Sequence, residues 1–442
     1  MNFKKLLVAL VTVGVCTWMS GHVANANQVK LEAELGQSVL QLGKKGRIYL
    51  RINLEGIAIP MGEERTPVNV ALVLDRSGSM RGAKLAQAKE AAIMALNRLG
   101  RSDFISVVAY DHNVTIPVPA TRVLDHRKIE DRISNLRAQG RTALYAGTKQ
   151  GIREVRKFIS DNRVNRVILL SDGLANVGPR TPAELGKLGR LAADEGVSVT
   201  TIGLGLGYNE DLMSRLAYNS DGNHAFVEKP GDLVKVFNDE FGDVLSVVAQ
   251  DVIIEIRCRK GFKPVRVLGR KAEVKGDRIK LRLNQLYGSQ KKYIVVELDA
   301  EALNSDGSSP LADVDVSYRS MKSQTRERVS AKPTVTYSAS LSDVRGSVNK
   351  KVMADVTTQV ANEVNEKAVS LRDAGKVDAA RGMLEKNAVY LKQKANEYGA
   401  SALFDLEKKN RDDAKSLTGA EWRKSRKAMR ARQHKLKSQQ AY

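Results

Sequence analysis

Apolar positions along the chain follow three successive patterns. Between residues 29 and 54 they alternate with polar ones: Leu31 and Ala33 stand among Lys30, Glu32 and Glu34, and Ile48, Leu50, Ile52 and Leu54 follow the same period. A two-residue period predicts strands with one buried and one wet face, as in an antiparallel sheet. Residues 56–67 contain Pro60, Pro67 and the acids Glu63 and Glu64, and read as a linker. With 27–55 they form an N-terminal β segment and linker over 27–67.

After the linker the apolar runs become nearly continuous, at 70–74, 105–110, 167–170 and 197–202. Strands covered on both faces have this signature. Segments of helical period alternate with them, at 82–99, 127–136, 145–160, 182–195, 210–217 and 232–248. In the first of these, Leu85, Ala88, Ala92, Leu96 and Leu99 fall along one face. The alternation predicts an α/β unit over 68–246, a doubly wound, mostly parallel sheet between helices.

From residue 251 the two-residue period returns, and it recurs over 278–283, 293–298 and 313–318. A second β segment over 247–340 is therefore expected. It should pack with the strands before residue 60 as one β-sandwich holding the α/β unit as an insert; two separate small sheets are the alternative. Next, Ala368, Leu371, Val377, Ala380, Leu384, Ala388 and Leu391 recur at helical spacing around Gly375. Two antiparallel helices resembling a tetratricopeptide unit are predicted within 341–418, too few for a solenoid. Residues 419–442 read as a basic tail, helical or disordered.

Length and charge add to this picture. The 442 residues allow two or three domains, and the formal charge of +22 bears on partners and solubility. Part of that charge lies after Trp422, where Arg423, Lys424, Arg426, Lys427, Arg430, Arg432, Lys435 and Lys437 are joined by no acid. Such a run is either a solvated end or a binder of anionic polymer or membrane headgroups. Residues 1–26 have the form of a secretory signal, with Lys4 and Lys5, an apolar run over 6–15 and the cleavage motif Ala24-Asn25-Ala26. Export to the periplasm, the cell envelope or the medium is expected. Val15 stands where lipid attachment at Cys16 needs a small residue, and the remaining Cys258 permits no internal disulfide. In its strand setting Cys258 reads as a buried, inert thiol.

The candidate chemistry begins at Asp75-Arg76-Ser77-Gly78-Ser79-Met80, directly after the run Val70-Ala71-Leu72-Val73-Leu74. One carboxylate and two hydroxyls at alternate positions, at the end of a buried strand, can point three oxygens at one place. Magnesium takes octahedral oxygen coordination at about 2.1 Å and keeps several waters. Ligands of open α/β sheets sit outside the carboxyl ends of strands, and two further residues suit that location. Thr142 lies in Gly140-Arg141-Thr142-Ala143 ahead of a helix, and Asp172 in Leu170-Ser171-Asp172-Gly173 closes another apolar strand. The same residue types also make turns and helix caps; convergence of all five separates the two readings.

These five residues resemble the metal-ion-dependent adhesion site of the von Willebrand factor type A family, Asp-x-Ser-x-Ser with a distant Thr and a distant Asp-Gly. Over residues 29–340 the chain is similar to bacterial exported proteins related to inter-alpha-trypsin inhibitor heavy chains. The resemblance implies that Ser77 and Ser79 bind Mg2+ directly, with Mn2+ or Ca2+ as alternatives, and that Thr142 joins them in the ligand-ready state. Asp75 and Asp172 would act through waters and hydrogen bonds to the serines. A Glu or Asp of a protein partner would complete the ion, with no small-molecule substrate and no enzymatic activity.

Other motifs carry less. Gly203-Leu204-Gly205-Leu206-Gly207 has Tyr208 where a dinucleotide fingerprint needs its third glycine, and reads as a tight turn. His112, His126, His224 and His434 have no zinc spacing, and Ser77 has no nucleophile-elbow context.

Overall fold

The computed structural model describes residues 27–60, 65–303 and 306–440. The secretory signal expected over 1–26 and Cys16 lie outside the described residues. The first strands are β1 (Val29–Leu35), β2 (Val39–Gln41) and β3 (Gly46–Gly56). The chain then builds β4 (Val68–Asp75), α1 (Ala83–Asn97), β5 (Phe104–Tyr110), β6 (Val114–Arg122), α2 (His126–Ser134) and α3 (Leu144–Arg156). The unit continues with β7 (Val164–Ser171), α4 (Pro182–Asp194), β8 (Ser198–Leu204), α5 (Glu210–Asn219), β9 (His224–Val227) and α6 (Leu233–Leu245).

Six strands form one sheet in the order β6-β5-β4-β7-β8-β9, parallel except at the β6 edge. All eight residues of β4 are buried, which explains its unbroken apolar run. Val70, Leu72 and Leu74 face α1 and α6, with Leu85, Leu96, Phe237 and Phe241. Ala71 and Val73 face the other layer, with Leu144, Ile152, Leu185 and Leu212 of α3, α4 and α5. Each such Val, Leu or Phe side chain contributes about 1.5–3 kcal/mol when fully buried. Helix starts follow the local chemistry: Thr181 and Glu184 make a reciprocal cap on α4, and Asn209 accepts from the Asp211 and Leu212 amides at α5.

The chain returns to antiparallel structure in β10 (Val247–Cys258), β11 (Phe262–Leu268), β12 (Glu273–Lys275), β13 (Arg278–Tyr287) and β14 (Lys291–Ala300). It continues through β15 (Gly307–Pro310), β16 (Ala312–Ser320), β17 (Arg326–Ala331) and β18 (Thr334–Ser338). One sheet runs β1-β3-β14-β11 and the other β12-β13-β10-β16-β17, so strands from before and after the α/β unit share hydrogen bonds. Their inner faces enclose one core, including Leu50, Ile52, Leu54, Ile254, Leu283, Val296 and Val316. The sandwich interrupted by an α/β unit is thus present. The points of departure and return meet at one turn: Ser289 N–H donates to Gly56 C=O (2.8 Å) and Gly288 N–H to Ser246 C=O (2.7 Å). Cys258 is buried, and its burial pushes the thiol up to about 11.

The C-terminal part differs from expectation. After α7 (Leu341–Gly346) come four long helices, α8 (Lys350–Asp373), α9 (Val377–Tyr398), α10 (Ser401–Lys415) and α11 (Glu421–Ser438). The predicted pair is therefore part of a larger bundle, in which Ala368, Leu384, Ala414, Leu417, Trp422 and Met429 pack together. Asn365, Asn387, Asn410, Asp413 and Gln433 hydrogen-bond within it, and so many polar core positions blur the apolar period. Among the described residues no helix is long and apolar enough to cross a membrane.

The basic end is neither frayed nor held out for an external anion. Lys427 is buried and gives its ammonium to Glu210 and to the Tyr208 C=O (2.7 Å). Arg426 pairs with Glu210, Asp211 and Asp373; Arg430 pairs with Asp211, Arg432 with Asp413 and Lys424 with Glu228. Arg423 remains exposed. The cations read from sequence as an anion-binding stretch mostly neutralise acids of α5, α8 and α10, which stand far away in the chain.

Candidate metal centre

β4 and β7 are parallel neighbours, so their last residues, Asp75 and Ser171, come to the same edge of the sheet. Asp75 is fully buried there. Its Oδ1 accepts the Ser77 N–H (2.8 Å) and its Oδ2 the Ser171 hydroxyl (2.8 Å). Burial pushes the Asp75 carboxyl up to about 6, against the opposing hydrogen bonds from Ser77 and Ser171; the nearby Asp172 charge adds to the rise. Ser77 Oγ lies 3.1 Å from Ser79 Oγ, and Ser79 donates to Asp172 Oδ1 at 2.6 Å.

Thr142 arrives on a loop stitched to this turn by backbone hydrogen bonds. Gly78 N–H donates to Gly140 C=O (3.1 Å), Gln139 N–H to Arg76 C=O (2.8 Å) and Ala143 N–H to Asp111 C=O (2.7 Å). Gly140 has φ +70°, and a Cβ there would stand 2.1 Å from His112 Nδ1, so the loop needs glycine at this point. Asn176 fixes Thr142 from the other side, its Oδ1 accepting the Thr142 N–H at 2.8 Å while its own N–H donates to Thr142 C=O at 3.1 Å.

Convergence is sharpest beside Gly173. A Cβ on that glycine would lie 3.2 Å from Thr142 Oγ1, 3.3 Å from Ser79 Oγ and 3.9 Å from Ser77 Oγ. The three hydroxyls thus surround one space that the missing side chain leaves open, with the carboxylates of Asp75 and Asp172 behind the serines. Hydroxyl oxygens backed by carboxylates are hard donors suited to Mg2+, Mn2+ or Ca2+. Among the described residues no group of three or more His, Cys, Asp or Glu is gathered to hold a metal.

All five sequence-selected residues therefore lie at this one place. Three supporting residues were not singled out from sequence: Ser171, Asn176 and Lys84. Lys84, in the first turn of α1, gives its ammonium to Asp172 Oδ2. No local pattern marks any of them, since each is a single polar residue whose partner is distant in the chain. Around the rim, Leu174 is 59% exposed and Leu206 46%. Their loops touch, because a Cβ on Gly207 would lie 2.5 Å from the Asp172 C=O.

Comparison with known proteins agrees with this geometry. The family model for the von Willebrand factor type A domain matches residues 69–239. An uncharacterised protein of Synechocystis sp. is 35% identical over 185 residues, 42% of this chain and 43% of its own length. Inter-alpha-trypsin inhibitor heavy chain H3 of Homo sapiens is 29% identical over 178 residues, 38% of this chain and 20% of its own. These matches span less than half of either relative. A solved von Willebrand factor type A protein from Catenulispora acidiphila shares the fold, with a TM-score of 0.70 at 17% identity, covering 89% of this chain and 90% of its own. Such domains generally serve protein–protein interaction and adhesion, often through a divalent metal, and their proteins are mostly binders rather than enzymes. The match to the von Willebrand factor type A domain family is thus carried by the α/β unit, over residues 69–239.

Proposed function

We propose that this is an exported, non-enzymatic adhesion protein that uses a divalent ion, Mg2+ first, to engage a Glu or Asp side chain of a protein partner. The observation that carries the reading is the convergence of the Ser77, Ser79 and Thr142 hydroxyls on the space beside Gly173. Ser77, Ser79 and Thr142 would hold the ion, which supplies a Lewis-acidic point that an external carboxylate completes. Asp75 and Asp172 orient the serines and balance charge without occupying the open side. Exposed Leu174 and Leu206 offer apolar contact beside that point, and the exposed Arg141 favours an acidic visitor.

The test uses the full chain and Asp75→Ala. Mg2+ raises the melting temperature of the wild type and leaves that of Asp75→Ala unchanged, and the wild type captures an envelope protein in Mg2+ that chelator releases. A partner held equally well in Mg2+ and in chelator sinks the proposal.

A further inference from the structure

Lys84 occupies an unfavourable place for a cation. It stands in the first turn of α1, where unpaired amides carry partial positive charge, and no acidic side chain accompanies it in that turn. Its ammonium instead reaches across to the enclosed Asp172, pairing with Oδ2 while Oδ1 accepts the Ser79 hydroxyl. Both oxygens of Asp172 are thereby engaged, which holds this carboxylate behind Ser79.

We infer that Lys84 sets how tightly the site holds its cation and how much positive charge the bound cation presents to a partner. The inference rests on the metal-site reading above. Two carboxylates, Asp75 and Asp172, lie next to the hydroxyl cradle, and Lys84 cancels one of them. Arg76, farther out, is matched by Asp111 at 3.0 Å and does not change the count. Counting these three groups, a divalent ion meets one net negative charge with Lys84 present and retains an excess that attracts an external carboxylate. Without Lys84 it meets two, binds more tightly and attracts that carboxylate less. Lys84 is thus a positioning residue that weakens metal binding and strengthens partner binding.

The magnitude follows from Coulomb's law in a partly wet site. Lys84 is 33% exposed, so screening reduces the effect of its charge to about tenfold in affinity.

Calorimetric titration of the full chain with MgCl2 tests this, comparing wild type with Lys84→Met, Lys84→Gln and Lys84→Arg. The two neutral variants bind Mg2+ about tenfold more tightly, while Lys84→Arg stays within about twofold of wild type. In chelator the neutral variants melt lower than wild type, and Mg2+ raises their melting temperature further than it raises that of wild type. If wild type binds and both neutral variants bind equally or more weakly, the inference is overturned and the metal site stands. If none of the four proteins binds Mg2+, the metal-site reading is overturned and the inference with it.

Discussion

At the scale of single residues, the site depends on one absent side chain as much as on the side chains present. Gly173 faces the three hydroxyls, and a methyl group there would come within 3.2 Å of Thr142 Oγ1 and 3.3 Å of Ser79 Oγ. Gly173→Ala should therefore reduce Mg2+ affinity by about tenfold or more, by filling the space and turning the hydroxyls aside, while unfolding shifts by less than about 1 kcal/mol. Calorimetry paired with denaturant unfolding separates the two effects; undiminished affinity would show that the cradle is not where the ion sits. The donor residues were legible in sequence because their type and their place at strand ends carry chemistry. Asn176, Ser171 and Lys84 were not, since each acts on a single residue distant in the chain, such as Asp172 for Lys84.

At the scale of elements, buried parallel strands announce themselves and edge elements do not. β4, β5, β7 and β8 are buried along their whole length and read as nearly continuous apolar runs. β6 is half-exposed and contains Pro117 and Pro119, tolerated at an edge, where a missing N–H costs no ladder bond, so its sequence resembles a loop. The docking of α11 is hidden for another reason: charge density is visible in a sequence, whereas the acids that neutralise it are not. Lys427 and Glu210 are both almost fully enclosed, so Lys427→Met should leave Glu210 with less compensation and cost about 2–4 kcal/mol. Lys424→Met, at a solvent-screened pair, should cost far less. Urea unfolding of the two variants side by side checks the contrast; equal losses would mean that α11 is held by its apolar face alone.

At the scale of the whole molecule, the helical bundle, the sandwich and the α/β unit are fastened to one another at polar contacts. Arg166 of β7, fully buried, donates to Gln285 (2.7 Å) and Tyr287 (2.6 Å) of the sandwich and lies 3.5 Å from Glu240. His224 of β9 and His434 of α11 meet edge to face at 5.9 Å between ring centres. Burial pushes both imidazoles down, His224 to about 4 and His434 to about 3; Lys427 adds to the first and His224 itself to the second. Because both folded values lie below the unfolded value of about 6.5, the stability they contribute is complete above about pH 6.5. It is lost as pH falls toward the folded values, by at most about 1.4 kcal/mol per pH unit for each histidine. Denaturation midpoints at pH 7 and pH 5 should fall less steeply for His434→Gln than for wild type, and an unchanged slope would remove His434 from the account.

The meeting of both chain connections at one turn also has a mechanical meaning. Gly56 and Ser246 are tied to Ser289 and Gly288, on the side where β4 begins and α6 ends, whereas the hydroxyl cradle lies at the far ends of β4 and β7. A partner pulled away from the cradle would thus draw against an anchor at the opposite pole. Tension would run along β4 between two parallel neighbours, loading their ladders in shear, so that many hydrogen bonds share the force instead of opening one after another. The insertion that looks like a detour in the chain places the hydroxyl cradle and its anchor in line.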